Sequence, residues 1–79
     1  MKILYFAHVA KAVGRREETL DVAAPLSTDA LWERLLALHP GLAQFRPTVR
    51  LARNQEFAGP GEQFANADEV ALLPPVSGG

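Results

Sequence analysis

The chain has 79 residues, 48% of them apolar and 22% charged, with a formal net charge of −1 and no cysteine. That length holds one domain with a thin core and excludes a second. The near-neutral balance, with both signs scattered and no basic stripe, excludes nucleic acid as a partner. Without cysteine there is no disulfide and no thiol of the chain's own, which suits a cytoplasmic protein.

The first segment, Lys2 to His8, is rich in β-branched and aromatic types and predicts a strand. The opening "MKILYFAHVAKA" imitates an export signal, but its apolar run, Ile3 to Ala7, falls short of the ~7–15 residues such a signal needs. The N-terminus is therefore expected to be unprocessed. The longest apolar stretch, Val70 to Val76, contains two prolines and cannot span a bilayer, so no membrane partner is expected. Val9 to Gly14 reads as a short helical or turn segment that Gly14 closes. Glu17 to Val22 alternates polar and apolar, as a strand returning to pair with the first would.

"PLSTDALWERLLALHPG" predicts the main helix. Ser27 is its N-cap, Asp29 sits in the first turn where the helix dipole favours an anion, and Leu26 can staple onto Leu31. Leu31, Leu35 and Leu38 fall on one stripe, flanked by Trp32, Leu36 and His39, and leave Glu33, Arg34 and Ala37 facing water. Pro40 and Gly41 end the helix. Gly41 to Pro47 is a loop with room for a short helical turn. Thr48 to Arg53 alternates again, Asn54-Gln55 reads as a tight turn, and Glu56 to Ala58 as a short strand. "AGPGEQFANAD" is a turn-rich connection, and Glu69 to Leu73 is the last strand.

The order β-β-α-β-β-β gives an α+β roll: a mixed sheet with one main helix packed on one face. One helix covers only one side. Lys2, Asp21, Arg50 and Glu69 should point outward, since an unpaired charge beneath the helix is too costly. Ile3, Tyr5, Ala7, Leu20, Val22, Val49, Leu51, Val70 and Leu72 then fall inward. Leu4, Phe6, Ala71 and Leu73 share the outward phase, and apolar residues gathered on a wet face mark a docking surface.

The residues offer no active site of their own. His8 and His39 stand in no metal-ligand spacing, so no metal is expected. His39 near a helix end reads as a dipole-complementing or packing residue. Ser27 and Thr28 serve the helix start, and no G-x-S-x-G surrounds a serine. Glu17 and Glu18 are adjacent, so on a strand they point to opposite faces and form no acid–base pair. "GPGEQ" lacks the following helix of a phosphate loop. Arg15 and Arg16 read as turn charges, and Arg50 and Arg53 as a solvated face.

That leaves "PPVSGG". A Gly-Gly ending has a chance frequency of roughly half a per cent at ordinary glycine usage. Pro74-Pro75 forces a stiff, extended exit from the last strand, Val76-Ser77 continues it, and Gly78-Gly79 carry no side chain. Such an end can thread a narrow channel and present a bare carboxylate, with glycine's freedom letting the last peptide turn as needed.

The strand order, Asn54-Gln55 and above all "DEVALLPPVSGG" resemble the small subunit of molybdopterin synthase, of the ThiS-like sulfur-carrier family. The likeness covers essentially the whole chain, including "KILYFAHVAKAVG", and the double proline separates it from other Gly-Gly carriers. The resemblance implies a β-grasp, ubiquitin-like domain over residues 1–79 with a flexible tail, 74–79, acting as a noncatalytic carrier in molybdenum cofactor biosynthesis. It implies that an adenylyltransferase resembling ubiquitin-activating enzymes uses ATP to convert Gly79 into an acyl-adenylate. A sulfur donor then leaves a thiocarboxylate, whose sulfur attacks the cyclic pyranopterin precursor inside the synthase large subunit. No cofactor is bound, and two carriers cap a large-subunit dimer in a heterotetramer. Carried over by position, Phe6, Phe57 and Leu73 form the docking surface, with Phe57 in place of an aliphatic residue and Leu72-Leu73 where the family often has aromatics. Pro74, Pro75, Val76, Ser77 and Gly78 complete the partner-binding tail. The alternatives are a carrier for thiamine thiazole or tRNA thiolation, a ubiquitin-like protein modifier, and an interaction domain whose tail is incidental.

Overall fold

The computed structural model describes residues 1–75. Its centre is a parallel pair, β1 (Lys2–Tyr5) and β7 (Glu69–Leu73), in register from Lys2 opposite Glu69 to Tyr5 opposite Leu72. A parallel pair cannot be joined by a tight turn. The chain between them therefore crosses over through α2 (Thr28–Leu38). β2 (Glu17–Thr19) pairs antiparallel with β1 on one flank. β4 (Arg50–Arg53) pairs antiparallel with β7 on the other and carries β5 (Glu56–Phe57) at the far edge. The result is a mixed sheet with one main helix against one face, as expected.

The helix starts where the sequence says. Ser27 Oγ accepts the Ala30 amide at 3.1 Å, and Asp29 lies in the first turn. Leu31, Trp32 and Leu35 are buried against Ile3, Tyr5, Val70 and Leu72 of the sheet, and Leu26 packs on the same core. Leu38 departs from the expected stripe and is half exposed, because the helix stops there. Leu42, from the 3-10 turn Pro40–Gln44, fills the core instead and is fully buried.

Other boundaries moved for local reasons. The first strand ends at Tyr5 rather than His8. Phe6 stays extended, Ala7 takes a left-handed φ of 51°, and the chain turns into α1 (Ala7–Val13). Ala7 is thus exposed, not inward, and Val9 takes the core position. Gly14, at φ 86°, closes α1 with its amide on the Ala10 carbonyl. β2 ends at Thr19 rather than Val22, where the Val22 amide turns to the Asn66 side chain. β4 begins at Arg50, since the Thr48 and Val49 amides are held by the Phe45 carbonyl.

Asn54 and Gln55 both have positive φ, 52° and 73°, as a two-residue hairpin turn demands. Asn54 also bonds Asp68 and the Glu69 amide, and the Ala65 amide together with Asn54 holds the Asp68 carboxyl below its usual range. The turn-rich connection hides one further short strand, β6 (Gln63–Phe64), which pairs with β3 (Leu26–Ser27) at the start of α2. Phe64 is fully buried there. A lone aromatic in a run of Gly, Pro, Asn and Asp was the only sign of it.

Candidate functional site

The uncovered face of the sheet carries the candidate site. Period-two alternation turns Leu4, Ala71 and Leu73 away from the helix, and Phe57 on β5 and Phe6 at the start of α1 join them. Together with Ala52 they line one concavity of about 330 Å³, with Gln55 and Glu69 at its margin. Phe6 is 44% and Phe57 59% exposed, the opposite of what two aromatics choose in a lone soluble domain. The Arg50 guanidinium lies 4.0 Å from the centroid of the Phe57 ring, a cation over its negative face. Phe6, Phe57 and Leu73, far apart in sequence, are thus drawn into one surface. Of the expected outward charges, Lys2, Asp21 and Arg50 are exposed and Glu69 is half-buried at the concavity's edge.

Pro74 and Pro75 follow β7 directly, half-buried and exposed in turn. Val76, Ser77, Gly78 and Gly79 lie outside the described residues. β7 is hydrogen-bonded on both flanks, so the tail leaves from the middle of the sheet.

A second polar assembly sits on the covered side. Glu17 and Glu18 do point to opposite faces: Glu17 reaches Lys2 at 3.5 Å in the open, while Glu18 turns inward. Its Oε1 accepts from the Tyr5 hydroxyl and meets His39 Nε2, and its Oε2 takes Arg15 at 3.2 Å. Burial pushes the Glu18 carboxyl up, but the bonds from Tyr5 and His39 and the neighbouring positive charge outweigh it and hold it below the usual range. Burial, with the Glu18 bond and charge, pushes the Tyr5 phenol up. The cluster joins β1, β2 and the end of α2, and the Tyr5 and His39 rings meet edge-on at 5.9 Å. Nothing in the sequence revealed it, because Tyr5, Glu18 and His39 share no spacing.

Among the described residues no group of His, Cys, Asp or Glu is placed to hold a metal, and no helix is long and apolar enough to cross a membrane.

The chain is 38% identical to the human molybdopterin synthase sulfur carrier subunit, over all of this chain and 93% of that protein. Its fold matches the crystal structure of small archaeal modifier protein 1 from Haloferax volcanii with a TM-score of 0.84, at 33% identity and covering 100% of this chain and 98% of that one. A likeness of fold alone, with a TM-score of 0.66 at 19% identity over 99% and 96% of the two chains, links it to a complex of subunits 1 and 2 of molybdopterin-converting factor from Helicobacter pylori. The ThiS family model matches residues 3–79. The chain belongs to the ThiS family.

Proposed function

We propose that the chain is the sulfur carrier subunit of a molybdopterin synthase, without catalysis of its own, working with a large-subunit partner. One observation carries this reading beyond the family. An exposed apolar concavity built from Phe6, Phe57 and Leu73 adjoins the point where Pro74-Pro75 leaves the sheet toward Gly78-Gly79. Docking by the concavity delivers the tail to a fixed place on the partner.

The reacting group is then the carboxylate of Gly79. A carboxylate is a poor electrophile because its charge is shared over two oxygens and oxide is a poor leaving group. Attack of one oxygen on the α-phosphate of ATP, with loss of pyrophosphate, gives an acyl-adenylate whose AMP departs readily. An activating adenylyltransferase supplies that step. A persulfide-type sulfur displaces AMP, and reduction by a thiol leaves the thiocarboxylate, a nucleophile for the pterin precursor. Sulfur enters from outside, as a chain without cysteine requires. Two carriers at the ends of a large-subunit dimer, meeting in a cytoplasmic heterotetramer, complete the picture.

The test is intact-protein mass spectrometry after incubation with the activating enzyme, ATP and a sulfur donor. The expected gain is the mass difference between sulfur and oxygen at Gly79. A variant with one residue appended after Gly79 should neither gain that mass nor support pterin sulfuration; full sulfur transfer by that variant overturns the reading. The likeness to small archaeal modifier protein 1 favours one second reading, conjugation to lysines of other proteins. Recovery of isopeptide-linked Gly79 from cells would establish it.

A further inference from the structure

The outer face is charged unevenly along its strands. Where the tail leaves, Arg50 stands opposite Leu73 in the ladder, and Arg16 lies beside Tyr5, whose amide bonds the Arg16 carbonyl at 2.8 Å. Lys11 is in the last turn of α1 at this end. A groove of about 730 Å³ runs here, lined by Leu4, Phe6, Lys11, Arg15, Arg16 and Glu17 among others. It shares Leu4 and Phe6 with the apolar concavity, so the two depressions are one continuous surface. At the other end of the strands stand Glu56, Asp68 and Glu69, and the cations found there, Lys2 and Arg53, are paired with Glu17 and Glu62.

Several of these charges are already matched. Lys2 takes Glu17, and Arg15 takes Glu18. Among the described residues Lys11 and Arg16 make no ion pair, and Arg50 makes only its contact with the Phe57 ring. A chain whose net charge is −1 thus collects three unmatched cations around the mouth of its tail. Lys11 and Arg16 line the groove that adjoins the apolar concavity, and Arg50 lies over Phe57, one of the concavity's own residues. A polar rim around an apolar centre is how docking surfaces are built, and rim charges steer encounter more than they hold the complex together.

We propose that the docking face extends across this groove, and that the large subunit seated on it presents acidic side chains to Lys11, Arg16 and Arg50. The claim rests on the sulfur-carrier reading above and adds the chemistry of the partner's rim. Its consequence is kinetic. The cations draw the end of the sheet where Pro74-Pro75 leaves β7 toward the partner first.

The experiment is stopped-flow or biosensor association of the full chain with the synthase large subunit from the same genome, at low and high salt. Wild-type association should slow as salt rises. K11E/R16E should associate about tenfold more slowly at low salt, lose the salt dependence, and keep its dissociation rate within about threefold. K11Q/R16Q should fall between the two. R34E, which reverses a charge on α2, should leave the rate within about twofold. Circular dichroism melts should coincide, since all these side chains are exposed. Association independent of salt, a K11E/R16E rate equal to wild type, or a salt effect seen only with the activating enzyme overturns the acidic rim and leaves the carrier reading intact. Wild type that fails to bind the large subunit at all overturns both.

Discussion

Along β7, neighbouring residues meet opposite fates. Val70 and Leu72 are fully buried beneath α2, while Ala71 and Leu73, equally apolar, look away from it and remain half-buried. A strand that is apolar in both phases is one built for cover on both faces. The described residues supply cover for one face only. The comparison separates residues that hold the fold together from residues on the face we propose for docking, and it does so within a single strand.

The sharpest way to break the contrast is to shorten one residue on each face. Leu72→Ala should cost about 3–5 kcal/mol in urea unfolding, since it empties a site enclosed on every side. Leu73→Ala should cost under about 1 kcal/mol. Equal losses would erase the distinction. Phe57→Ala should leave unfolding within about 0.5 kcal/mol while weakening large-subunit binding on the order of 100-fold by calorimetry, as loss of a central aromatic anchor does. A variant that binds as wild type does would remove the concavity from the site.

Glu18→Gln probes the covered side. It should cost about 1–3 kcal/mol at neutral pH, by weakening the acceptor for Tyr5, His39 and Arg15. The sign with pH follows from the lowered carboxyl. The contribution is fully present above the unfolded value, about 4.3, and is lost as pH falls through the folded one. The gap between wild type and variant should therefore shrink as pH falls below the unfolded carboxyl's value and close only beneath the lower, folded one. A gap in unfolding measurements that does not shrink with falling pH would count against the cluster. The smallest effect expected is a gain. Gln55→Gly should stabilise by about 0.5–1 kcal/mol, because Gln55 holds a left-handed φ of 73° that glycine adopts freely. A thermal melt that moves down would show that the Gln55 side chain does more than occupy the turn.

Legibility in the sequence followed from whether a signal was local. The main helix was readable because its cap, staple and breakers are neighbours, and β7 because it is a short, almost wholly apolar run bounded by Asp68 and Pro74. Phe6 and Leu73 could be placed on the outer face from phase alone. Phe57 entered only through resemblance, since a two-residue strand has no phase to read. Ala7 was misplaced because nothing in "FAHVA" announces a left-handed turn on alanine. Leu38 was misplaced because periodicity does not know where the helix runs past its sheet. Phe64 and the Glu18 cluster depend on pairings across long stretches of chain, which no window of sequence contains. The inward Glu18 also qualifies the rule that charges face out: it holds for unpaired charges, and this one has three partners.

The central seat of β7 has a mechanical side. A tail attached to an edge strand could be peeled away, one hydrogen bond at a time, by whatever grips its end. This one is rooted between β1 and β4, so tension along it loads two ladders at once and in shear. On the function proposed above, the carrier is hauled into one enzyme's channel, released and hauled into the next without unravelling.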